Sequence, residues 1–169
     1  MSQNEEAWIE ESHQAMHGWD FSHLKGRCET ATLPWNYRDL VRQYLQPADE
    51  WLDMDTGGGE LMSSFNHPVK KTSVTEGWQP NIDLLKRTQV PQGITLYADP
   101  EGQMAQVPSG HFEVVTNSHG GLPIAAIARV LRPGGIFISQ QVGATNNYSL
   151  SRFLNEKYAP AFPDNNLFR

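Results

Sequence analysis

Short apolar runs alternate with segments of helical periodicity along most of this chain, and that alternation constrains the fold more than any other feature. Five apolar runs predict strands, at residues 50–54, 71–75, 94–98, 112–116 and 136–142. Helical spacing predicts helices at residues 34–45, 60–65, 81–88, 122–131 and 149–157, with Asn81 expected as an N-cap. Strands that alternate with helices favour a parallel sheet, because each connecting helix has to cross over the sheet. The sequence therefore predicts an α/β domain, a three-layer sandwich whose mostly parallel sheet has helices on both faces.

Length and charge narrow the class of protein. The chain has 169 residues, which is typical of about one domain. Its 13 basic and 19 acidic residues give a net charge of −6, so nucleic acid is not expected as a partner, because binding to phosphates depends on lysine and arginine. The single cysteine, Cys28, excludes an internal disulfide, and no apolar run of about 18 residues is present to span a membrane. The N-terminus carries glutamates and no basic residue up to residue 11, unlike a secretory signal, so a cytoplasmic protein is expected.

A glycine cluster follows the first predicted strand, in the segment Asp53-Met54-Asp55-Thr56-Gly57-Gly58-Gly59. Glycines between a strand and a helix let a ligand approach the backbone N–H groups at the start of the helix. A Walker-type phosphate loop needs Lys-Ser or Lys-Thr after its last glycine, and Glu60-Leu61 stands there instead. A nicotinamide-type fingerprint begun at Gly57 would place its third glycine at Met62. A glycine turn without a ligand is the remaining alternative.

Three acidic residues follow or end successive predicted strands: Asp53, Glu76 and Asp99. The carboxyl ends of parallel strands meet at one edge of a sheet, which is where such folds bind ligands. Glu76 lies where an adenosine ribose would present its hydroxyls to a carboxylate. Taken singly, Glu76 also fits a solvated loop and Asp99-Pro100 a turn, but three acids at successive strand ends favour a binding site.

Four segments resemble motifs of the class I S-adenosylmethionine-dependent methyltransferases, at residues 52–60, 75–81, 111–117 and 129–137. The last segment contains Leu131-Arg132-Pro133-Gly134-Gly135, a turn before the fifth strand that is a strong signature of this superfamily. Two N-terminal segments, at 17–22 and 33–37, further resemble a bacterial subgroup similar to methyltransferase type 11. Together these motifs cover residues 17–143, and the resemblance implies a Rossmann-like fold.

The resemblance implies S-adenosyl-L-methionine as the cofactor. Asp53 and the glycine backbone would hold its amino-acid part, Glu76 its ribose, and Asp99 with Pro100 would border its adenine. The cofactor-binding residues implied in this way are Asp53, Asp55, Thr56, Gly57, Gly58, Gly59, Glu76, Gly77, Asp99, Pro100 and Asn117.

The chain departs from the superfamily at two places. Asp55 stands where the superfamily has a glycine, although aspartate is one of the few residues that tolerate a left-handed backbone. The closing antiparallel strand pair that usually follows the fifth strand is missing, which predicts a truncated domain. We expect an N-terminal helical cap (1–48), a cofactor-binding core (49–143) and a C-terminal helix with an irregular tail (144–169). The edge of the fifth strand would then be covered by the tail or by a second copy of the chain in a homodimer, or stay bare as an aggregation liability.

Asn117 and His119, just beyond the fourth predicted strand, are the candidate catalytic residues. His119 is a candidate base near neutral pH, and an orienting or structural role is the alternative. No metal site is expected, because His13 and His17 lack a third ligand at a telling spacing. Core packing rather than an acceptor pocket is expected of four tryptophans, Trp8, Trp19, Trp35 and Trp78.

The predicted function is transfer of a methyl group from S-adenosylmethionine to a small-molecule acceptor. The superfamily's Asp/Asn-Pro-Pro-Tyr/Phe motif for amine methylation is absent, which weakens that reaction on nucleobases. Two alternatives stay open at this point. One is a catalytically silent fragment that only binds the cofactor, and the other is a nicotinamide-dependent oxidoreductase, which Met62 disfavours.

Overall fold

The computed structural model describes residues 3–14, 18, 22–29, 31–143 and 146–157. The helices in these parts of the chain are α1 (Gln3–Ser12), α2 (Tyr37–Tyr44), α3 (Glu60–Ser63), α4 (Gln79–Thr88), α5 (Ile124–Val130) and α6 (Tyr148–Leu154). The strands are β1 (Trp51–Met54), β2 (Thr72–Glu76), β3 (Thr95–Ala98), β4 (Phe112–Ser118) and β5 (Leu131–Gln140). Short 3-10 turns lie at Ser22–Leu24, Val69–Lys71 and Val90–Gln92.

The strands form one sheet in the order β3-β2-β1-β4-β5, and each neighbouring pair is parallel. This arrangement confirms the predicted α/β class. The chain runs outward from β1 through β2 to β3 and then returns to the other side of β1 with β4 and β5. The direction therefore reverses between β1 and β4, and open parallel sheets bind ligands outside the carboxyl ends of the strands at such a point.

The two central strands, β1 and β4, supply side chains to a hydrophobic core on each face of the sheet. Successive residues of a strand point to opposite faces, so Leu52 and Trp51 enter different cores. One core includes Leu52, Met54, Val115, Ile127 and Val130, and the other includes Trp51, Met62, Val74, Leu85 and Val114. Burial on both faces fixes β1 and β4, and with them the loops at their carboxyl ends.

Helix α4 begins earlier than predicted, and Asn81 is not its N-cap. Trp78 occupies the cap position without a side-chain hydrogen bond, and Pro80 lies in the first turn. Proline suits this position because the N–H that it lacks would have no partner in the helix. Asn81 is buried inside the helix, and its Nδ2 lies 3.4 Å from Oε2 of Glu76.

The fifth strand also differs from its prediction at 136–142. β5 begins at Leu131, directly after α5 ends, because Leu131 already pairs with Phe112. The register then shifts between Phe112 and Val114, and the intervening Arg132-Pro133-Gly134-Gly135 is taken up as an irregularity inside β5. The Pro-Gly-Gly turn that was expected to end a helix therefore lies within a strand.

The N-terminal part contains helix α1, which lies within the predicted helical cap (1–48), although the sequence predicts no bounds for a helix there. Trp8 on this helix is 69% exposed, and Trp35 and Trp78 are each 48% exposed, so the prediction that these three tryptophans pack in the core is wrong. Trp19 and His17 lie outside the described residues, as do most of the motif at 17–22 and the tail at 158–169. The division into cap, core and tail stays a prediction.

Within the described residues, β5 pairs with β4 and with no strand on its other side. Ile136 on this strand is 37% exposed, and Phe153 and Leu154 on α6 are 84% and 74% exposed. Coverage of this edge by a second copy of the chain stays a prediction. None of the described helices is both long enough and apolar enough to cross a membrane.

Candidate functional site

A cavity of about 520 Å³ opens beside the carboxyl ends of β1 and β4, at the reversal point of the sheet. Its lining includes four of the residues that the sequence singled out, namely Asp53, Asp55, Thr56 and His119. The other lining residues are Arg38, Met54, Glu60, Leu61, Ser118 and Val142. The cavity is therefore formed by the end of β1 and the two residues that follow it, the start of α3, the end of β4 and the first turn of α2.

Asp53 is the most buried charged group of the cavity, with 5% of its surface exposed. Two hydroxyl groups donate to its carboxylate: Thr56 Oγ1 to Oδ2 at 2.7 Å and Thr116 Oγ1 to Oδ1 at 2.6 Å. Burial raises the pKa of Asp53 to about 6, although the two hydrogen bonds act in the opposite direction. This carboxylate is held rigidly and titrates close to neutral pH.

Thr116 is a site residue that sequence reasoning missed. Its hydroxyl oxygen accepts a 2.8 Å hydrogen bond from Nε1 of Trp51, which leaves its own hydrogen to donate to Asp53. The side chains of Trp51, Asp53 and Thr116 meet for two reasons. Residues 51 and 53 point to the same face of the sheet, and Asp53 of β1 is paired with Thr116 of the neighbouring strand β4. Only the register of two distant strands creates this contact, so no local motif signals it.

Glu76 organises the glycine loop from the neighbouring strand. Its Oε2 accepts the N–H of Gly57 at 2.8 Å, and its Oε1 accepts the N–H groups of Gly77 at 2.9 Å and Trp78 at 2.8 Å. Gly57 has a φ of 65°, the left-handed backbone that glycine adopts most readily. The predicted ribose-binding acid therefore also fixes the conformation of the predicted cofactor loop.

Gly58 and Gly18 both pack against the carboxylate of Glu60, the first residue of α3. A Cβ atom on Gly58 would lie 2.2 Å from Oε1 of Glu60, and one on Gly18 would lie 2.0 Å from it. The carboxylate of Glu60 thus fills the space between the glycine loop and the N-terminal segment. Gly59 follows as the cap residue of α3, with a φ of 85°.

Asp99 holds its own loop in place. Its Oδ2 accepts the N–H of Met104 at 2.8 Å, and its Oδ1 accepts that of Gln103 at 3.2 Å. A Cβ atom on Gly77 would lie 3.0 Å from the carbonyl oxygen of Asp99, so the loops after β2 and β3 approach closely there. Asp99, its neighbour Pro100 and Gly77 do not line the cavity itself, and neither do Glu76, Asn117 and the glycine loop Gly57–Gly59.

Asp55 has the left-handed backbone that the sequence led us to expect, with a φ of 52°. Its N–H donates to Thr75 Oγ1 at 3.1 Å, and its Oδ2 accepts the N–H of Gly121 at 3.0 Å. Burial raises the pKa of Asp55, and the nearby Glu76 and Asp99 carboxylates raise it further. The residue that replaces the superfamily's glycine thus joins the loop after β1 to the loop after β4.

Asn117 is fully buried, whereas His119 is exposed at the cavity. Asn117 Oδ1 accepts from Gly120 N–H at 3.2 Å and from Gln141 Nε2 at 2.6 Å, so its side chain shapes the loop after β4. His119 has a φ of 67°, and its N–H donates to the carbonyl of Gln140 at 3.0 Å. Of the two candidate catalytic residues, His119 is the one whose side chain lines the cavity.

Helix α2 brings a cation to the cavity through Arg38, which sequence reasoning did not single out. Asn36 caps the helix, accepting from the N–H groups of Arg38 at 3.0 Å and Asp39 at 3.3 Å. Tyr37 docks the helix on the sheet by donating from its hydroxyl to the carbonyl of Asn117 at 3.2 Å. Within the described residues, no carboxylate forms an ion pair with Arg38.

Among the residues that the structure describes, no group of three His, Cys, Asp or Glu side chains is placed to hold a metal ion.

No protein-family model matches the sequence, and no curated protein matches it. Solved structures do match. A S-adenosylmethionine-dependent methyltransferase from Aquifex aeolicus has a TM-score of 0.52 and 13% identity over 71% of this chain and 66% of its own. The YcgJ protein from Bacillus subtilis has a TM-score of 0.54 and 16% identity over 71% of this chain and 56% of its own.

A S-adenosylmethionine-dependent methyltransferase from Mesorhizobium loti has a TM-score of 0.51 and 15% identity, and covers 61% of this chain. This chain spans about half of that protein's length, 51%. The chain has the fold of the class I S-adenosylmethionine-dependent methyltransferases, as the sequence motifs predict.

Proposed function

We propose that this chain binds S-adenosyl-L-methionine and transfers its methyl group to a small-molecule acceptor. The observation that carries the proposal is the set of charged residues that line the cavity, in which Asp53, Asp55 and Glu60 occur together with Arg38. The amino-acid end of S-adenosylmethionine has the complementary pattern, with a cationic sulfonium, a cationic ammonium and one carboxylate. Opposite charges favour binding most where water is partly excluded.

The same pattern argues against a nicotinamide cofactor. A pyrophosphate carries negative charge and is bound by free N–H groups at a glycine loop. Here the N–H of Gly57 already donates to Glu76, and the cavity beside the loop is lined by carboxylates. A pyrophosphate placed at this loop would be repelled. Charge therefore disfavours the oxidoreductase alternative, in addition to Met62, which stands where the nicotinamide fingerprint needs its third glycine.

We assign Asp53, Asp55, Thr56 and the glycine loop Gly57–Gly59 to the amino-acid end of the cofactor. Glu76 is assigned to the ribose, because its Oε2 has only a long 3.4 Å contact with Asn81 besides the hydrogen bond from Gly57. A ribose hydroxyl would take the place of that long contact. Gly77, Asp99 and Pro100 are assigned to the adenine, since their two loops meet beyond Glu76.

When bound, S-adenosylmethionine supplies a methyl group that is activated by a sulfonium. The task of the protein is then to place the acceptor in line with that methyl group and to exclude water. Ser118, His119 and Val142 line the part of the cavity next to β4, which we assign to the acceptor. His119 is the candidate to take a proton from the acceptor, and Asn117 shapes the loop that carries it.

A binding module without catalysis is the second candidate function. It is favoured by Asn117, one of the two candidate catalytic residues, because this residue is fully buried and does not line the cavity. Incubation with labelled S-adenosylmethionine and a panel of metabolites separates the two, since only an enzyme transfers the label. A cytoplasmic location, a bacterial origin and the choice of acceptor remain part of the proposal.

The binding proposal is tested by a pair of matched glutamate variants. Glu76 and Glu113 both accept a backbone N–H from a neighbouring segment, but at opposite ends of the sheet. Because a hydrogen bond to a charged group contributes about 1.5–3 kcal/mol, Glu76→Gln should weaken binding of S-adenosylhomocysteine by roughly tenfold or more. Glu113→Gln should leave the affinity unchanged in the same calorimetric titration. Equal affinities for the wild-type chain and Glu76→Gln would contradict the assignment of the ribose.

A further inference from the structure

Two residues with left-handed backbones border the cavity from opposite loops. Asp55 in the loop after β1 has a φ of 52°, and His119 in the loop after β4 has a φ of 67°. Neither is a glycine, and aspartate and histidine are among the few other residues that adopt this conformation readily. Residues in this conformation cluster at ligand sites, where a side chain often supplies an interaction that a glycine could not.

The side chain of Asp55 supplies such an interaction. Its Oδ2 accepts the N–H of Gly121 at 3.0 Å across 66 residues of sequence. A Cβ atom on Gly120 would lie 2.2 Å from the same oxygen, so the loop is packed directly against the carboxylate. On its other side, the backbone N–H of Asp55 donates to Thr75 Oγ1, which fixes Asp55 to the end of β2.

The loop at residues 118–121 is held from inside by Asn117. The amide of Asn117 accepts the N–H of Gly120 at 3.2 Å and donates to the carbonyl of Gly121 at 3.3 Å. His119 directly precedes these two glycines, and its own N–H donates to the carbonyl of Gln140. The contact with Asp55 joins this loop to the loop after β1.

We propose that Asp55 is a positioning residue, which latches loop 118–121 to the glycine loop and thereby fixes the imidazole of His119 in the cavity. The inference rests on the proposed function, because His119 matters only if this part of the cavity receives the acceptor. A glycine at position 55 would relieve the backbone but would have no acceptor for Gly121. At the position where the superfamily has a glycine, the aspartate of this chain therefore supplies a hydrogen-bond acceptor that a glycine lacks.

The test compares Asp55→Gly with Asp55→Asn by amide hydrogen exchange and by NMR of the His119 ring. Asp55→Gly removes the latch and suits the left-handed backbone, whereas asparagine also tolerates that backbone and keeps an acceptor oxygen. Because a hydrogen bond to a charged acceptor is lost, the Gly121 amide should exchange roughly tenfold faster or more in Asp55→Gly. The His119 ring signals should shift in the same variant, and Asp55→Asn should restore much of both.

Controls separate the latch from a general loss of stability. The Gly93 amide, which donates to the carbonyl of Val90 in a remote turn, should exchange at the wild-type rate in all variants. Asp49→Asn removes a carboxylate that accepts the N–H of Gln46 near the other end of β1, and it should leave the His119 ring signals unchanged. Gly121→Pro removes the donor instead of the acceptor, so it should shift the His119 ring even if Asp55→Gly does not fold.

Wild-type Gly121 exchange and wild-type His119 signals in folded Asp55→Gly would overturn the proposal. An unchanged His119 ring in Gly121→Pro would overturn it as well. Both readouts need no ligand, so they are independent of the proposed function. Failure of the wild-type chain to bind S-adenosylhomocysteine would overturn the proposed function and leave the latch standing on its own measurements.

Discussion

Asp53 shows how the surroundings of a single residue set the ionisation of a group at this site. The carboxylate is buried beside the cavity and has no cation within ion-pair distance among the described residues. Thr56 and Thr116 stabilise its charge with hydrogen bonds of 2.7 and 2.6 Å, yet burial still raises its pKa to about 6. A cationic ligand group beside Asp53 would favour the ionised form and lower that pKa again.

This raised pKa predicts a pH dependence of stability. The pKa of Asp53 rises from 3.8 to about 6 on folding, so its contribution to the free energy of unfolding is complete below about pH 4 and is lost as the pH rises through about 6. At about 1.4 kcal/mol per pH unit, the loss is on the order of 3 kcal/mol. Asp53→Asn should lack this loss, because an amide does not titrate.

Urea unfolding of both proteins between pH 4 and pH 7 measures this effect. Titrations of the other groups are common to the two proteins, so the difference between their free energies of unfolding isolates Asp53. The wild-type chain should lose stability relative to Asp53→Asn as the pH rises. A difference that stays constant over this range would show that the buried carboxylate is not responsible.

At the scale of elements, helix α2 links local sequence to the site. Asn36 caps its first turn, and the next two residues serve the site directly: Tyr37 docks on the carbonyl of Asn117 and Arg38 lines the cavity. Burial raises the pKa of Tyr37, so its hydroxyl keeps its proton and acts as a donor. The position of the cation in the cavity therefore depends on how this helix begins.

Asn36→Ala should destabilise the chain by about 1 kcal/mol, the usual effect of losing an N-cap side chain. Asn36→Ser should retain most of the stability, because serine also accepts from the N–H groups of the first turn. Urea unfolding of the three proteins checks both statements. Equal stabilities for Asn36→Ala and the wild-type chain would mean that the cap does not hold the helix.

Elements with a strong local pattern are the ones that the sequence predicts well. The helix over 34–45 and the buried strand ending at Met54 follow from apolar spacing, and the structure has both as α2 and β1. Helix α1 escapes prediction because nearly all its described residues are exposed, so it has no apolar face to mark it. The start of β5 escapes because pairing of Leu131 with Phe112 overrides the Pro-Gly-Gly turn that follows.

The candidate site divides in the same way. Asp53, Glu76 and Asp99 are predicted from their positions at or just after the ends of strands, since a parallel sheet brings such ends to one edge. Thr116 and Arg38 are not found, because their places depend on strand register and on the docking of a distant helix. The bond between Asp55 and Gly121 likewise depends on the packing of two loops that the sequence separates by 66 residues.

At the scale of the whole molecule, the strand order decides where the cavity lies. The order β3-β2-β1-β4-β5 places the ends of β1 and β4 side by side, and the cavity opens between the loops that follow them. The fold is shared with methyltransferases that are at most 15% identical to this chain, so it does not by itself fix the ligand. The charged residues that line the cavity are the basis of our proposal that a zwitterionic, net cationic cofactor binds here.

The most direct test of that claim is calorimetric titration of the wild-type chain with S-adenosylhomocysteine, with NADH as the matched ligand. S-adenosylhomocysteine keeps the ammonium, the carboxylate and the adenosine, whereas NADH brings a pyrophosphate to the same glycine loop. Our account predicts saturable binding of S-adenosylhomocysteine and no binding of NADH. No heat from S-adenosylhomocysteine at high micromolar concentration, with the protein shown to be folded, would contradict it.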